Sequence, residues 1–197
     1  MIFPKGYFNN QAVNENFVTR SLNEVRTFSA LSASKAKPTV FLSHKHDDLS
    51  DLRGLMGLLE GIGAKIYIDS MDNKMPDQTC GDSAARIKEV IKFCDKFVLL
   101  ATAKAIESYW CNWELGIGDT HKFIQHIAIL PIKDSGQYDW QYKGNEYLQI
   151  YPQIDYEDGS RFYQDGTRVA AGYYVSRPAN KQNVNIITPL KQWLATR

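Results

Sequence analysis

The sequence predicts an α/β protein with a central parallel sheet and helices packed on both of its faces. Between residues 39 and 133, four short apolar runs rich in β-branched residues alternate with three amphipathic segments. Parallel neighbours require helical crossovers, and strands covered on both faces are continuous apolar runs. Because ligands bind such sheets outside the carboxyl ends of the strands, we expect the functional residues in the loops that follow them.

Each element of this alternating region has a local signature. The first predicted helix covers residues 48–60, where apolar residues recur at steps of three and four, and Gly61 and Gly63 end it. The apolar face of the second helix predicts a small core role for Cys94. The four strands are predicted at residues 39–43, 64–69, 96–102 and 126–132. The second helix follows a loop over residues 70–82, and residues 105–123 are a loop that leads into the third helix.

The segments that flank this region differ from it in composition. Residues 12–31 carry a loose helical stripe and are followed by a small-residue tether, so residues 1–37 are predicted to be an N-terminal helix and linker. Residues 38–133 form the predicted core, and residues 134–197 form a C-terminal extension, rich in loops and hairpins, that completes the domain. Two Asp-Gly turns in the extension favour hairpins. Thr188 before Pro189 predicts the cap and first position of a final short helix.

Composition excludes several functional classes. The chain is 44% hydrophobic and 23% charged, as in folded globular proteins. Its 23 Lys and Arg residues against 22 Asp and Glu residues leave a net charge of +1, which disfavours nucleic acid and anionic membranes as partners. No apolar run approaches the ~20 residues of a membrane span. The first residues lack the features of a signal peptide, and no Cys-x-x-Cys pair occurs, so we expect a cytoplasmic protein.

The loop after the first strand contains potential metal ligands, but a metal site is not expected. His44, His46 and Asp47 are ligand types, yet adjacent loop positions diverge and no fourth ligand is evident. The alternative interpretation is that Asp47 or Asp48 caps the next helix and that the histidines are solvated. The sequence also lacks the glycine-rich and nucleophile-elbow motifs of dinucleotide-dependent dehydrogenases, P-loop NTPases and α/β-hydrolases.

A second polar feature lies in the third predicted helix. Trp110, Trp113, Glu114 and Ile117 are three and four residues apart and therefore share one helical face. A carboxylate among indoles on a partly buried face is a conflict of the kind that marks functional sites. The alternative is that the two tryptophans are core anchors and that Glu114 lies at the edge, paired with a lysine. Spacing alone leaves both interpretations open.

Several ordered motifs between residues 38 and 133 resemble a TIR (Toll/interleukin-1 receptor) domain. They are the first-strand box VFLSH, a second strand ending in Asp69, a loop with Pro76-Asp77 and Gly81-Asp82, a helix ending in Cys94-Asp95, and the box WCNWEL. Two departures are that His44 replaces the usual tyrosine and that Gly81 follows Pro76 by several residues. The resemblance implies a flavodoxin-like three-layer α/β fold with a central parallel sheet.

The resemblance also implies an activity. TIR domains are either scaffolds or enzymes that cleave NAD+ between nicotinamide and ribose, and the enzymes carry a glutamate in the WCxxE box, here Glu114. It implies Glu114 as the catalytic residue and NAD+ as a substrate rather than a cofactor. The substrate-binding residues that it implies are Ser43, Lys45, Asp69, Asp77 and Trp110. The product is ADP-ribose or a cyclic ADP-ribose isomer, and the sequence does not choose between them.

Partners follow from the same resemblance. The chain is similar to the bacterial stand-alone, Thoeris-like antiphage type, which implies self-association through TIR–TIR contacts and a separate effector that responds to the nucleotide product. One alternative is a non-catalytic TIR scaffold or adaptor that binds other TIR domains through residues 70–82. Another is nucleoside deoxyribosyltransferase-like glycosyl transfer on the same sheet architecture.

Overall fold

The computed structural model describes residues 2–10, 37–46, 48–71, 80–134, 145–178 and 185–196. The strands in these ranges are β1 Phe3–Pro4, β2 Thr39–Ser43, β3 Lys65–Tyr67, β4 Lys96–Ala101, β5 Ile127–Lys133, β6 Gln153–Glu157, β7 Gly172–Pro178 and β8 Asn185–Pro189. The helices are α1 Leu49–Gly61, α2 Gly81–Phe93, α3 Ala103–Ile106, α4 Tyr109–His121 and α5 Leu190–Ala195. None of these helices is both long and apolar enough to cross a bilayer.

The strands form one sheet in the order β3-β2-β4-β5-β6-β7-β8, with β1 paired to β5. All pairs from β3 to β6 are parallel, whereas β6–β7 and β7–β8 are antiparallel. The five parallel strands therefore have the 2-1-3-4-5 order of flavodoxin-like folds, whose ligand crevice opens at the switch point between the first and third strands. The predicted fold class is confirmed, and the switch point here lies between β2 and β4.

Alternation along the buried strands divides the core between the two faces of the sheet. Val40 and Leu42 join the cluster beneath α1 and α5, whereas Phe41 joins the cluster beneath α2 and α4. The Phe41 ring stacks on both Tyr67 and Phe97, at centroid distances of 5.6 Å and 5.5 Å. Each such fully buried side chain contributes about 1.5–3 kcal/mol of transfer free energy. Because Ser43 is the next residue on the Phe41 face, it points toward α4.

Helix α1 confirms its predicted position, but its amino end differs from the prediction. The helix is followed by Gly63 at φ +101, a conformation that favours glycine. Asp48 precedes the helix without a side-chain capping bond, because its carboxylate instead accepts a hydrogen bond of 2.6 Å from Thr102 Oγ1. The expectation that Asp48 caps this helix is therefore wrong, and Asp47 lies outside the described residues.

Residues 2–10 add to the core in a way that the sequence did not predict. Phe3 and Phe8 are fully buried, and β1 pairs in parallel with the end of β5. The backbone N–H of Gly6 donates to both carboxylate oxygens of Asp51, at 3.0 Å and 2.9 Å. A Cβ at Gly54 would lie 2.2 Å from the Phe8 carbonyl oxygen, so only glycine fits there. The helix predicted over residues 12–31 lies outside the described residues.

The C-terminal extension continues the same sheet. Gly159 and Gly166 of the two Asp-Gly turns have φ +86 and +83, and β6 and β7 form the antiparallel pair that these turns predict. The final helix is present but begins one residue later than expected. Thr188 pairs with Val175 inside the sheet and Pro189 occupies the N-cap of α5, so strand pairing holds Thr188 in extended conformation and prevents it from capping.

Candidate active site at the carboxyl edge of the sheet

The carboxyl ends of β2 and β4 meet the first turns of α4 at the switch point. Ser43 is the last residue of β2 and pairs with Leu99 of β4. Helix α4 begins at Tyr109 because the Ser108 hydroxyl, at the N-cap, accepts a bond from the Cys111 N–H. This start places Glu114 in the second turn, on the face that packs against the sheet. We refer to this region as the carboxyl-edge site.

A buried carboxylate held by one serine is the main feature of this site. Ser43 Oγ donates to Glu114 Oε2 at 2.5 Å, and the two residues are 1% and 2% exposed. Glu114 Oε1 is buried, and none of the described residues hydrogen-bonds it. The alternative that Glu114 lies at the edge with a lysine is therefore wrong. One oxygen is fixed, and the other retains its full capacity to accept a hydrogen bond.

The environment of Glu114 favours its neutral form when no ligand is bound. Burial, with a further contribution from the negative charge of Asp69, raises the pKa of Glu114 to about 8. The hydroxyl of Ser43 and the nearby indole of Trp110 oppose this shift without cancelling it. A ligand that brings positive charge into the site would favour the ionised carboxylate and lower this pKa.

His44 is a component of the site whose burial the sequence did not predict. It is only 4% exposed, so the expectation of a solvated side chain is wrong for His44, although His46 is exposed as expected. Its Nδ1 is buried without a hydrogen-bond partner in the described part of the chain, and its Nε2 lies 3.5 Å from Ser70 Oγ. Burial lowers the pKa of His44 and the charge of Asp69 opposes that shift. Cys111 Sγ donates to the His44 carbonyl at 3.3 Å, which links α4 to this loop.

The structure brings together most of the residues that the TIR resemblance implies. Asp69 starts a 3-10 helix two residues after the end of β3 and influences the pKa values of both Glu114 and His44. Trp110 lies one turn before Glu114, half-buried, with its ring centroid 5.0 Å from that of Trp113. Lys45 is half-buried in the loop two residues after Ser43. Asp77 lies outside the described residues.

A second buried hydrogen bond, not predicted from the sequence, fixes the base of the site. Thr102 follows β4, donates to Asp48 at 2.6 Å and accepts from the Ala105 N–H at 3.1 Å. This pair joins the carboxyl end of β4 to the start of α1. The threonine before Ala103 is a capping signal that sequence reasoning missed. No group of three or more possible metal ligands occurs in the ranges that the structure covers.

Comparisons with known proteins agree with this geometry. No protein-family model matches the chain. Over 117 residues it is 34% identical to a protein of Bacillus cereus (strain MSX-D12) named "Probable 3' cyclic ADP-D-ribose synthase ThsB'". The match covers 58% of this chain and 59% of the relative, so it spans less than two thirds of the relative's length. Taken with the flavodoxin-like strand order, this similarity supports the resemblance of the chain to Thoeris-like TIR proteins.

Proposed function

We propose that this protein cleaves the nicotinamide–ribose bond of NAD+ and forms a cyclic ADP-ribose isomer as a signal in antiphage defence. The observation that carries the proposal is the buried Glu114, with one oxygen held by Ser43 and the other unclaimed at the switch point. The relative's printed name, a cyclic ADP-ribose synthase, supports a cyclic product over ADP-ribose.

A single carboxylate suits this reaction. Nicotinamide is bound in NAD+ as a cationic pyridinium and leaves as a neutral molecule, so no general acid is required. Positive charge develops at the ribose carbon as the bond breaks, and a fixed carboxylate stabilises it electrostatically. Most glycosidases, in contrast, need a second carboxyl group to protonate the leaving oxygen.

The substrate itself prepares Glu114 for this role. Its pyridinium charge favours the ionised form of a carboxyl group whose pKa is about 8 in the empty site. Ser43 keeps Oε2 in place, so Oε1 accepts a bond from a ribose hydroxyl. The half-buried Trp110 ring offers a stacking surface for a base or for nicotinamide.

The second half of the reaction replaces the broken bond. The electron pair of the carbon–nitrogen bond leaves with nicotinamide, and an oxygen of the remaining ADP-ribose attacks the same carbon and loses its proton to the surroundings. Water attack would give ADP-ribose instead. Glu114 and His44, which are 2% and 4% exposed, form a floor with little access for water, which favours the intramolecular attack.

The proposed partners are based on the TIR resemblance of the sequence and on the similarity to the Bacillus cereus relative. We propose that the protein associates with copies of itself through TIR–TIR contacts, and that a separate effector responds to the nucleotide. We also propose that the protein is located in the cytoplasm.

The test is NAD+ turnover by the purified full chain, with products separated by chromatography and identified by mass. Glu114→Gln preserves shape and removes the charge, and we expect activity to fall at least ~100-fold. Glu89→Gln is the matched control, because Glu89 has a 68% exposed side chain that pairs with Lys92 on α2. We expect the control to retain activity within about twofold, since exposed ion pairs contribute little.

The same assay, repeated with lysate of phage-infected cells, supplies a trigger if the enzyme needs one. Intact NAD+ in both conditions would replace this proposal with a non-catalytic scaffold. ADP-ribose as the sole product would retain the cleavage step and reject cyclisation. Equal loss of activity in both variants would reject Glu114 as the specific catalytic group.

A further inference from the structure

A cavity with mixed polar and apolar walls lies at the opposite, amino edge of the sheet. It has a volume of about 270 Å³ and opens between the segments that precede β5 and β6, the end of β7, and helix α5. Its polar lining includes His126, Arg177, Thr188 and Thr196, and Trp193 forms an apolar wall. None of the side chains that line it carries a carboxylate. We refer to it as the amino-edge cavity.

A buried ammonium stands behind this lining. Lys96, the first residue of β4, is fully buried, and its Nζ lies 2.7 Å from His126 Nδ1 and 3.0 Å from Thr196 Oγ1. Its Nζ also lies 4.7 Å from the centroid of the Trp193 ring. An ammonium has donors only, so Nδ1 of His126 accepts and the ring proton resides on Nε2. The cavity therefore has a guanidinium and an imidazole in its lining and an ammonium behind them.

Positive charge exceeds negative charge around these groups. Burial, Lys96 and Lys122 all lower the pKa of His126, and Asp95 alone opposes them. The Asp95 carboxylate is already occupied, because Oδ2 accepts from both the N–H and the hydroxyl of Thr39 at 2.8 Å. An anion in the cavity would relieve the repulsion among the cations and would pair with Arg177.

The size and the donor set define the ligand class. A volume of 270 Å³ is just below the roughly 300–1,000 Å³ of pockets that hold drug-sized ligands, so a dinucleotide does not fit. A guanidinium binds carboxylate or phosphate oxygens through two parallel bonds, and the hydroxyl of Thr188 adds a further donor, whereas the Thr196 hydroxyl already donates to the Trp193 carbonyl at 2.7 Å. We propose that the amino-edge cavity binds a small oxyanion, a phosphate or a carboxylate, through Arg177 and His126.

This cavity is separate from the carboxyl-edge site. Lys96 begins β4 and Ala101 ends it, and six residues at about 3.3 Å each span about 20 Å. An anion in the amino-edge cavity therefore makes no contact with Glu114. The inference does not depend on the proposed NAD+ chemistry.

The test follows the ring proton signals of His126 by NMR in the full chain. The chain has four histidines, so His126→Gln assigns the signal by its loss. Sodium phosphate and sodium acetate are titrated in parallel arms, with sodium chloride at matched ionic strength as the reference. We expect a saturable shift of the His126 signal with one or both oxyanions, and the two arms distinguish phosphate from carboxylate.

Two charge variants decide whether Arg177 binds the anion. Arg177→Gln is expected to weaken the apparent affinity about tenfold. Lys191→Gln is the matched control, because Lys191 is exposed on helix α5, which borders the cavity, but does not itself line the cavity. It is expected to titrate like the unmodified protein. Equal shifts with chloride, no saturation with either oxyanion, or an unchanged titration in Arg177→Gln would overturn the proposal.

Discussion

Glu114 is buried at the carboxyl edge of the sheet and Lys96 at the amino edge, but the two edges hold these groups in opposite ways. At the carboxyl edge, Glu114 receives one hydrogen bond from Ser43 and has an unclaimed oxygen. At the amino edge, the Lys96 ammonium contacts His126, Thr196 and the Trp193 ring. Glu114 therefore retains unused bonding capacity, whereas the Lys96 ammonium is engaged with three neighbours.

Their protonation equilibria also move in opposite directions. Burial raises the pKa of Glu114 to about 8 and lowers that of Lys96 to about 8. In both cases the neutral form is favoured, as desolvation requires. The two groups therefore contribute to stability with opposite dependence on pH, and variants at either edge separate their contributions.

The largest expected effect is on stability at the carboxyl edge. The folded pKa of Glu114, about 8, lies above the ~4.3 of an unfolded glutamate, so its contribution to stability is fully present below pH 4 and is lost as pH rises through 8. Glu114→Gln has no ionisable group at this position, so the variant does not lose this stability as the pH rises. We expect the variant to be more stable than the unmodified protein by on the order of 3 kcal/mol at pH 8.5 and nearly equal to it at pH 4.5. Urea unfolding at both pH values measures this difference.

The corresponding variant at the amino edge provides the control. The folded pKa of Lys96, about 8, lies below the ~10.4 of an unfolded lysine, so burial of the charge destabilises the protein below pH 8 and this penalty disappears as pH rises to 10.4. The difference between Lys96→Met and the unmodified protein is expected to change by about 1–2 kcal/mol from pH 7 to pH 10. If both variants showed the same slope with pH, the contrast between the two edges would be wrong.

The next effect concerns the hydrogen bond that orients the carboxylate. Ser43→Ala removes the donor to Glu114 Oε2 and leaves a second unpaired oxygen in a buried site. A hydrogen bond to a charged group contributes about 1.5–3 kcal/mol, so we expect NAD+ turnover to fall roughly 10- to 100-fold. The pKa of Glu114, measured by NMR of the labelled carboxyl carbon, should rise further. A variant with normal turnover and an unchanged pKa would contradict the assigned role of Ser43.

The smallest effect compares two buried cysteines at the two edges. Cys111 Sγ donates to the His44 carbonyl at the carboxyl edge, whereas Cys94 follows α2 at the amino edge. Cys111→Ala is expected to reduce NAD+ turnover by about two- to fivefold, since it loosens the loop after β2 through one weak bond. Cys94→Ala is expected to lower the thermal midpoint of unfolding, because it removes a buried side chain, and to leave turnover unchanged. Equal turnover in the two variants would exclude a positioning role for Cys111.

Local pattern was sufficient for the fold class and for most of the core. Apolar runs bounded by turns predicted β2, β3, β4 and β5, and the three-and-four spacing of leucines predicted α1, because these signals depend on neighbours a few residues apart. The same spacing placed Glu114 on a shared face with Trp110. It did not reveal that this face is buried against Ser43.

Local sequence patterns did not predict the contacts between distant segments. The docking of residues 2–10 depends on Asp51 and on the absence of a side chain at Gly54, and neither has a local signature. The burial of His44 was missed because a histidine in a polar loop has the same sequence pattern whether it is solvated or enclosed. The Thr102–Asp48 bond joins two loops that only the sheet brings together.

The sequence by itself determined the alternation of strands and helices between residues 39 and 133 and the position of Glu114 on one helical face with Trp110. Tertiary structure decided that Ser43, 71 residues away, holds that glutamate, and that Lys96 and Thr196, 100 residues apart, form a hydrogen bond behind the wall of one cavity. The physical reason is that periodicity encodes which face of an element is apolar. Desolvation, pKa and the partner of a buried charge depend on which elements pack together, and only the folded chain determines that.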